Sequence, residues 1–254
     1  MKSIHMFQGI LIIATLMLFA STSARAQNPR VLVFSKTAAF YHESIPIGEK
    51  AIRTLGMEKG FDVDVTKDAS VFSDDRLQNF DAVVFLNTTG DVLDEAQQSA
   101  FERYIRGGGG YVGVHSASDT EYEWEWYGQL VGAYFENHPA IQEAKLDVVD
   151  PDHPATRDLP REWTRTDEWY NLRYVNDEVN VLVTLDESSY KQRDGEPRDG
   201  YHPHSWYHDF EGGRAFYTAM GHTDESYSEP HFLGHLWGGL QYAMGLTPGT
   251  SSDR

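Results

Sequence analysis

Apolar residues in the first half of the chain fall into short unbroken runs separated by stretches of helical spacing. That pattern belongs to strands buried on both faces and covered by helices. Arg30-Val31-Leu32-Val33-Phe34-Ser35 and Asp81-Ala82-Val83-Val84-Phe85-Leu86 have no polar face, whereas Phe61-Asp62-Val63-Asp64-Val65 alternates. Between the first two of these strands in the chain, Ile45, Ile52 and Leu55 recur at helical spacing, with Ser44 as expected N-cap, Pro46 in the first turn and Gly60 as terminator. Asp94 is expected to cap a second helix, whose Leu93, Ala96, Ala100, Phe101, Tyr104 and Ile105 share one face. A glycine run over 107–110 stops that helix and feeds a fourth strand, Tyr111-Val112-Gly113-Val114, which ends on His115.

Beyond residue 140 the pattern changes to strand-like runs over 144–149, 162–172, 179–185, 205–210 and 214–219, expected to extend the sheet antiparallel. An amphipathic helix over 232–244 then returns to the sheet. The fold class is therefore α/β, a mostly parallel central sheet flanked by helices with antiparallel strand additions in the C-terminal half. No repeat or linker divides residues 27–247, so one domain is expected, followed by a polar tail over 248–254. The charged, glycine-containing stretch 188–200 reads as a surface loop.

The N-terminus changes where this domain is expected to work. Lys2 and His5 precede an apolar run over 10–20, and small residues lead to Ala24-Arg25-Ala26. This is the pattern of a signal peptide over 1–26 cleaved after Ala26, which makes the mature protein periplasmic or secreted. The run is shorter than the roughly 20 apolar residues of a membrane span, so no membrane insertion is expected after cleavage. Losing Lys2 and Arg25 takes the formal charge from −18 to −20. Such a surface repels nucleic acid and favours a neutral ligand. The chain has no cysteine, which excludes disulfides, thiolate ligands and a cysteine nucleophile.

Chemistry is thus left to histidine and carboxylate. His42, His115 and His222 each follow an apolar run, and strand ends are where open α/β sheets place ligands. Together they are candidates to bind a divalent metal (zinc, manganese or nickel) or to move protons, with His115 and His42 as catalytic candidates. His231 and His235 fit one helix face, and His138 and His153 precede proline and read as loop residues. Asp119, Glu121, Glu168 and Asp224 are the candidate carboxylates. Glu168, set among aromatics in Asp167-Glu168-Trp169-Tyr170, is the best placed for acid-base work. Ser116, Asp119, Tyr170, Trp206 and Tyr227 are candidate substrate contacts, since aromatic faces and hydroxyl-binding carboxylates suit a sugar. No nucleotide cofactor is expected.

Four tracts carry a family resemblance: Phe40-Tyr41-His42-Glu43-Ser44-Ile45, residues 108–120, Asp167-Glu168-Trp169-Tyr170, and Trp206 with Gly213-Arg214-Ala215-Phe216-Tyr217 through Gly221-His222. Across nearly the whole mature chain they resemble the ThuA-like (trehalose utilisation) family, whose fold is similar to class I glutamine amidotransferases. Tyr41 departs from the arginine that many relatives carry. The amidotransferase nucleophile is a cysteine after a comparable strand, so without cysteine glutamine hydrolysis by that route is excluded. The resemblance implies disaccharide catabolism, with a sugar dehydrogenase of the same pathway as partner and 3-keto sugars as substrates. A 3-keto group acidifies the C2 proton, which His115 would remove while Glu168 assists the leaving oxygen; the expected activity is that of a 3-keto-glycoside lyase, hydrolase or isomerase. The rival expectations are a non-catalytic carbohydrate-binding or scaffold protein and a glycosidase pairing Glu168 with Asp119.

Overall fold

The computed structural model describes residues 28–195 and 200–246. The expected signal peptide and polar tail lie outside them. In chain order the elements are β1 (Arg30–Phe34), α1 (Ile45–Lys59), β2 (Asp62–Thr66), α2 (Asp74–Leu77), β3 (Ala82–Leu86), α3 (Glu95–Arg106), β4 (Gly110–Val114) and α4 (Glu125–Val131). There follow β5 (Tyr134–Asn137), β6 (Gln142–Val148), β7 (Glu162–Asp167), β8 (Asn171–Arg173), β9 (Asn180–Leu185), β10 (Pro203–Phe210), β11 (Gly213–Thr218) and α5 (Pro230–Ala243). Nine strands form one sheet in the order β2-β1-β3-β4-β11-β10-β9-β6-β7, and β5 with β8 forms a separate two-stranded ribbon.

Strand alternation divides the core into two layers. Val31, Val33, Val84, Leu86, Val112 and Val114 face α1 and α5, whereas Leu32, Phe34, Val83, Phe85 and Tyr111 face α2, α3 and α4. Both faces are covered, which is why these strands carry no polar face. Asp94 caps α3 as expected, its carboxylate accepting from Gln97 N while the Gln97 side chain accepts from Asp94 N. Gly60 ends α1 in the left-handed region. Ser44 sits at the N-cap of α1, but its side chain makes no cap bond.

Two expectations are corrected. The run over 214–219 does not extend the sheet antiparallel: β11 lies parallel to β4, with Arg214 opposite Gly110 and Thr218 opposite Val114. The tight β10–β11 hairpin is antiparallel, so the polarity change falls between those two strands and the end of β11 comes level with the end of β4. The run over 162–172 is not one strand either. It breaks after Asp167, and β8 leaves the main sheet to pair with β5. β5 had no clear sequence signal, because its four residues are only partly buried and alternate weakly.

The glycine run has a packing cause at Gly110. A Cβ there would stand 2.2 Å from the Ala243 carbonyl oxygen and 3.0 Å from that of Asp81, both backbone atoms that cannot rotate away. β4 can therefore start under the end of α5 only with glycine. Gly110→Ala is expected to destabilise the fold by about 1–3 kcal/mol, the usual cost of overpacking, measured by denaturant unfolding.

Candidate functional site

The parallel strands run in the order β2-β1-β3-β4-β11, so the chain reverses its winding direction between β1 and β3. A crevice outside the strand ends at such a point is where doubly wound sheets bind ligands. The loop after β1 is tied there to the loop after β3. Thr37 bridges Thr89, Ala38 N donates to Thr89 O at 2.7 Å, and Thr89 Oγ1 donates to Phe40 O at 2.6 Å. This fixes His42, which is 3 % exposed. The Ser44 hydroxyl, free of capping, accepts from Asn87 Nδ2 at 3.1 Å and joins the same two loops.

His115 follows β4 with φ of 50°, a conformation uncommon for any residue but glycine, and is fully buried. Its backbone carbonyl accepts from Tyr217 OH at 2.8 Å, and its Nδ1 lies 2.7 Å from Ala219 O. A carbonyl only accepts, so Nδ1 carries the proton and Nε2 presents a lone pair in the neutral ring. His222 arrives from the end of β11. Its loop is held by Asp167, whose Oδ2 accepts from Gly221 N at 2.8 Å and whose Oδ1 accepts from His222 N at 3.1 Å. Asp167 Oδ1 also takes Glu168 N at 3.0 Å, so one carboxylate places two site residues.

The side chains converge. One donor atom each from His42, His115, Glu168 and His222 lie within 4.8 Å of one another. The three imidazole rings stand 5.0–5.1 Å apart. His115 Nε2 is 3.1 Å from His222 Nδ1, His222 Nδ1 is 3.2 Å from Glu168 Oε2, and His115 Nε2 is 3.5 Å from that same oxygen. Donors about 2.0–2.1 Å from a tetrahedral zinc are separated by about 3.3–3.4 Å, so this triangle has the size of one face of such a site. Two of its corners are acceptors and the third shares a single proton between them, a donor set that suits a cation. The cluster could hold a metal ion.

Ionisation fits the same use. Burial, reinforced by His115 and His222, pushes His42 down to about 2, so its ring is neutral at working pH. Burial alone would raise Glu168, but hydrogen bonds and charge from His115 and His222 outweigh it and hold the carboxyl below its ordinary range. Burial would lower His222, yet the adjoining Glu168 carboxylate raises it above the ordinary imidazole value. An ionised Glu168 cannot donate a proton to a leaving oxygen. Of the sequence-derived roles, general acid is the one this residue does not fit.

Other candidates are distributed unevenly. Ser116 joins the cluster, its Oγ 3.3 Å from His42 Nδ1. Tyr170 packs its ring 4.1 Å from that of His115. Asp119 accepts from Tyr122 OH at 2.6 Å, and burial raises its carboxyl. Trp206, expected to contact sugar, is instead fully buried, its indole N–H donated to Val131 O at 2.9 Å and its ring packed 4.7 Å from Tyr217, so no face remains for a ligand. Tyr227, also expected there, is a buried strut that donates to Gly221 O at 2.9 Å and to Asn87 Oδ1 at 3.3 Å. Glu121 serves the backbone, accepting from Val92 N and Leu93 N.

Sequence reasoning missed three residues. His138, read as a loop residue, places Nδ1 3.0 Å from Glu168 Oε1. No spacing could reveal this, because the contact joins the segment after β5 to that after β7. Arg165 and Asp167 pair at 2.7 Å in the interior, and Arg165 also reaches Glu229 at 2.9 Å and Ser226 at 2.7 Å. Here a signal existed. In β7 the inward positions are Trp163, Arg165 and Asp167, two charges two apart on the core side of an alternating strand.

A family model described as ThuA, trehalose utilisation, matches residues 30–243. A ThuA-like protein from Bacteroides uniformis ATCC 8492 superposes with a TM-score of 0.73 at 24 % identity, over 89 % of this chain and 95 % of that one. A ThuA-like protein from Parabacteroides merdae ATCC 43184 gives 0.71 at 20 % identity, over 85 % and 90 %. A cold-adapted β-galactosidase from Rahnella sp. R3 gives 0.54 at 16 % identity, over 87 % of this chain but 32 % of that one. At these identities the likeness is one of fold. No curated protein matches the chain.

Two outcomes are expected. A cation needs the lone pair that a proton occupies on His222, so zinc affinity is level above the raised His222 value and falls up to about tenfold per pH unit below it. Calorimetry in buffers of different ionisation enthalpy, counting released protons, checks the sign. Arg165→Met leaves Asp167 without its buried partner and is expected to cost about 3–5 kcal/mol in denaturant unfolding.

Proposed function

The chain belongs to the ThuA, or trehalose utilisation, family, and from that premise we propose that it is an exported, metal-assisted enzyme that cleaves or isomerises a 3-keto-glycoside. Family membership supports a carbohydrate-related role, and the observation that carries the finer reading is the convergence of His42, His115, Glu168 and His222 within 4.8 Å. Three imidazoles and one carboxylate suit zinc or nickel better than manganese. When bound, such an ion supplies Lewis acidity to a keto oxygen and to the negative charge that develops on it.

The protein's own groups divide the remaining work. His42 and Glu168 are kept neutral and ionised respectively, the states in which each can serve as a ligand. His115 turns its lone pair into the cluster and therefore acts as ligand rather than free base. Asp119 is the candidate base for the C2 proton, since its raised carboxyl makes the carboxylate more basic than an exposed one. Asp119 takes the C2 proton and the C–H electron pair moves onto the 3-keto oxygen; the return of that pair breaks the C1–O bond and forms C1=C2, the departing aglycone oxygen taking the proton back from Asp119, whereas reprotonation at another carbon gives isomerisation. Phe40, 62 % exposed with its ring 4.8 Å from that of His42, offers an apolar face beside the cluster for a pyranose.

Export rests on the N-terminal sequence pattern, and among the described residues no helix is long and apolar enough to cross a membrane. The strongly acidic chain favours a neutral sugar over an anionic one. A dehydrogenase that oxidises the sugar at C3 is the partner such a substrate requires. A glycosidase pairing Glu168 with Asp119 is disfavoured, because both Glu168 oxygens are engaged by histidines and neither is left to attack a sugar carbon or activate water.

Turnover of 3-keto-glycosides is expected to fall at least about 100-fold in His115→Ala and His42→Ala, with unoxidised disaccharides untouched by the parent protein. Unchanged turnover in both variants overturns this function, and retained sugar binding with no product in the parent protein identifies a binding protein instead. Phe40→Ala is expected to raise KM about 2- to 10-fold with kcat preserved, the worth of one stacking face of about 0.5–1.5 kcal/mol.

A further inference from the structure

Glu168 uses its two carboxylate oxygens in opposite directions. Oε2 faces the cluster, at 3.2 Å from His222 Nδ1 and 3.5 Å from His115 Nε2, while Oε1 stands 3.0 Å from His138 Nδ1. His138 is not among the four converging residues. Its side chain is 41 % exposed where that of Glu168 is 8 % exposed.

His138 Nδ1 also lies 2.8 Å from Pro139 O. Both neighbours are acceptors, so Nδ1 carries a proton, hydrogen-bonded to Pro139 O and at ion-pair distance from Glu168 Oε1. The ring belongs to the end of the β5–β8 ribbon rather than to the main sheet. That ribbon is closed by Asn171 Nδ2 donating to Asn137 Oδ1 at 2.7 Å, one residue before His138. It is pressed onto the site by Phe135, whose ring lies 4.3 Å from Tyr170, which in turn packs 4.1 Å from His115. A glutamate side chain has three rotatable bonds, and the contacts of Oε2 alone do not fix the plane of its carboxylate.

We infer that His138 is the positioning residue of the site: its Nδ1–H anchors Glu168 Oε1 and so keeps Oε2 turned into the cluster. The β5–β8 ribbon thereby sets how tightly the cluster holds a divalent cation. Groups that orient a metal-ligating carboxylate in this way commonly govern metal affinity by 10- to 100-fold. This rests on the proposal that the cluster is a metal centre.

The test uses the full mature chain stripped with a chelator, then titrated with Zn²⁺ against a chromophoric competitor and with Co²⁺ followed by its visible absorption. His138→Ala is expected to weaken Zn²⁺ binding about 10- to 100-fold and to alter the Co²⁺ bands. His138→Asn, whose side-chain N–H can stand where Nδ1–H stood, is expected to restore most of the affinity and the parent spectrum. An unchanged melting temperature of the stripped variants separates this from loss of fold. Should the alanine variant fail to fold, His138→Leu, which keeps apolar bulk without an N–H, carries the same expected loss. Equal affinity and spectra in parent and His138→Ala, or an asparagine variant no better than alanine, overturns the inference while leaving the metal centre standing. A parent protein that binds neither ion overturns the metal centre itself, and this inference with it.

Discussion

The carboxylate of Asp167 is fully buried, and it accepts from Glu168 N, His222 N, Gly221 N and the Arg165 guanidinium. A charge removed from water this completely is tolerated only when it is paired and saturated with hydrogen bonds, and here those bonds join the Glu168 backbone, the Gly221–His222 loop and Arg165. β7 stands at the far edge of the sheet from β2, whereas β11 lies in its middle. Asp167 joins the end of one to the loop after the other, and the join brings Glu168 against His222 and His115. Arg165 extends the hold to Ser226 and to Glu229, which also accepts from Trp163 Nε1. The placement of Glu168 and His222 beside His115 thus depends on one buried ion pair that stands outside the cluster.

Burial also decides what those donors can do. In water three imidazoles near neutrality would be partly protonated and would repel one another. Desolvation keeps His42 neutral, while the ionised Glu168 favours the proton on His222. His42 thus offers a lone pair and Glu168 a charge in advance, whereas His222 must release its proton before a cation can bind there. His115 adds a backbone contribution. Its left-handed conformation is strained for a residue with a Cβ, and it persists because Tyr217, Ala219 and the ring of Tyr170 hold it from three sides.

The parallel half of the fold was legible in the sequence because its causes are local. Val31 to Phe34 and Ala82 to Leu86 are apolar on both faces, Asp94 carries its capping partner three residues on, and the strand after the glycine run begins where only Gly110 fits. The C-terminal half was legible as strands and as antiparallel additions for β6, β7, β9 and β10, but not in the direction of β11. Alternation shows that Arg214 to Ala219 is a strand; it does not show that β11 runs with β4, because pairing direction depends on a partner distant in sequence. Trp206 and Tyr227 misled for a related reason. An aromatic residue has the same sequence signature whether its polar atom meets a ligand or, as here, a backbone carbonyl.

By itself the sequence determined that His42, His115 and His222 follow apolar strands, that no thiol is present, and that Glu168 sits among aromatics. These facts concern one residue and its neighbours in the chain. Only the tertiary structure decided that the three histidines and Glu168 share one centre, that the histidines hold the Glu168 carboxyl below its ordinary range, and that His138 on the ribbon comes within 3.0 Å of it. Those outcomes depend on distances between segments more than a hundred residues apart in the case of His115 and His222, and on the removal of water from between them. Periodicity along a chain encodes which side of an element is buried, but it carries no record of which other element will cover it.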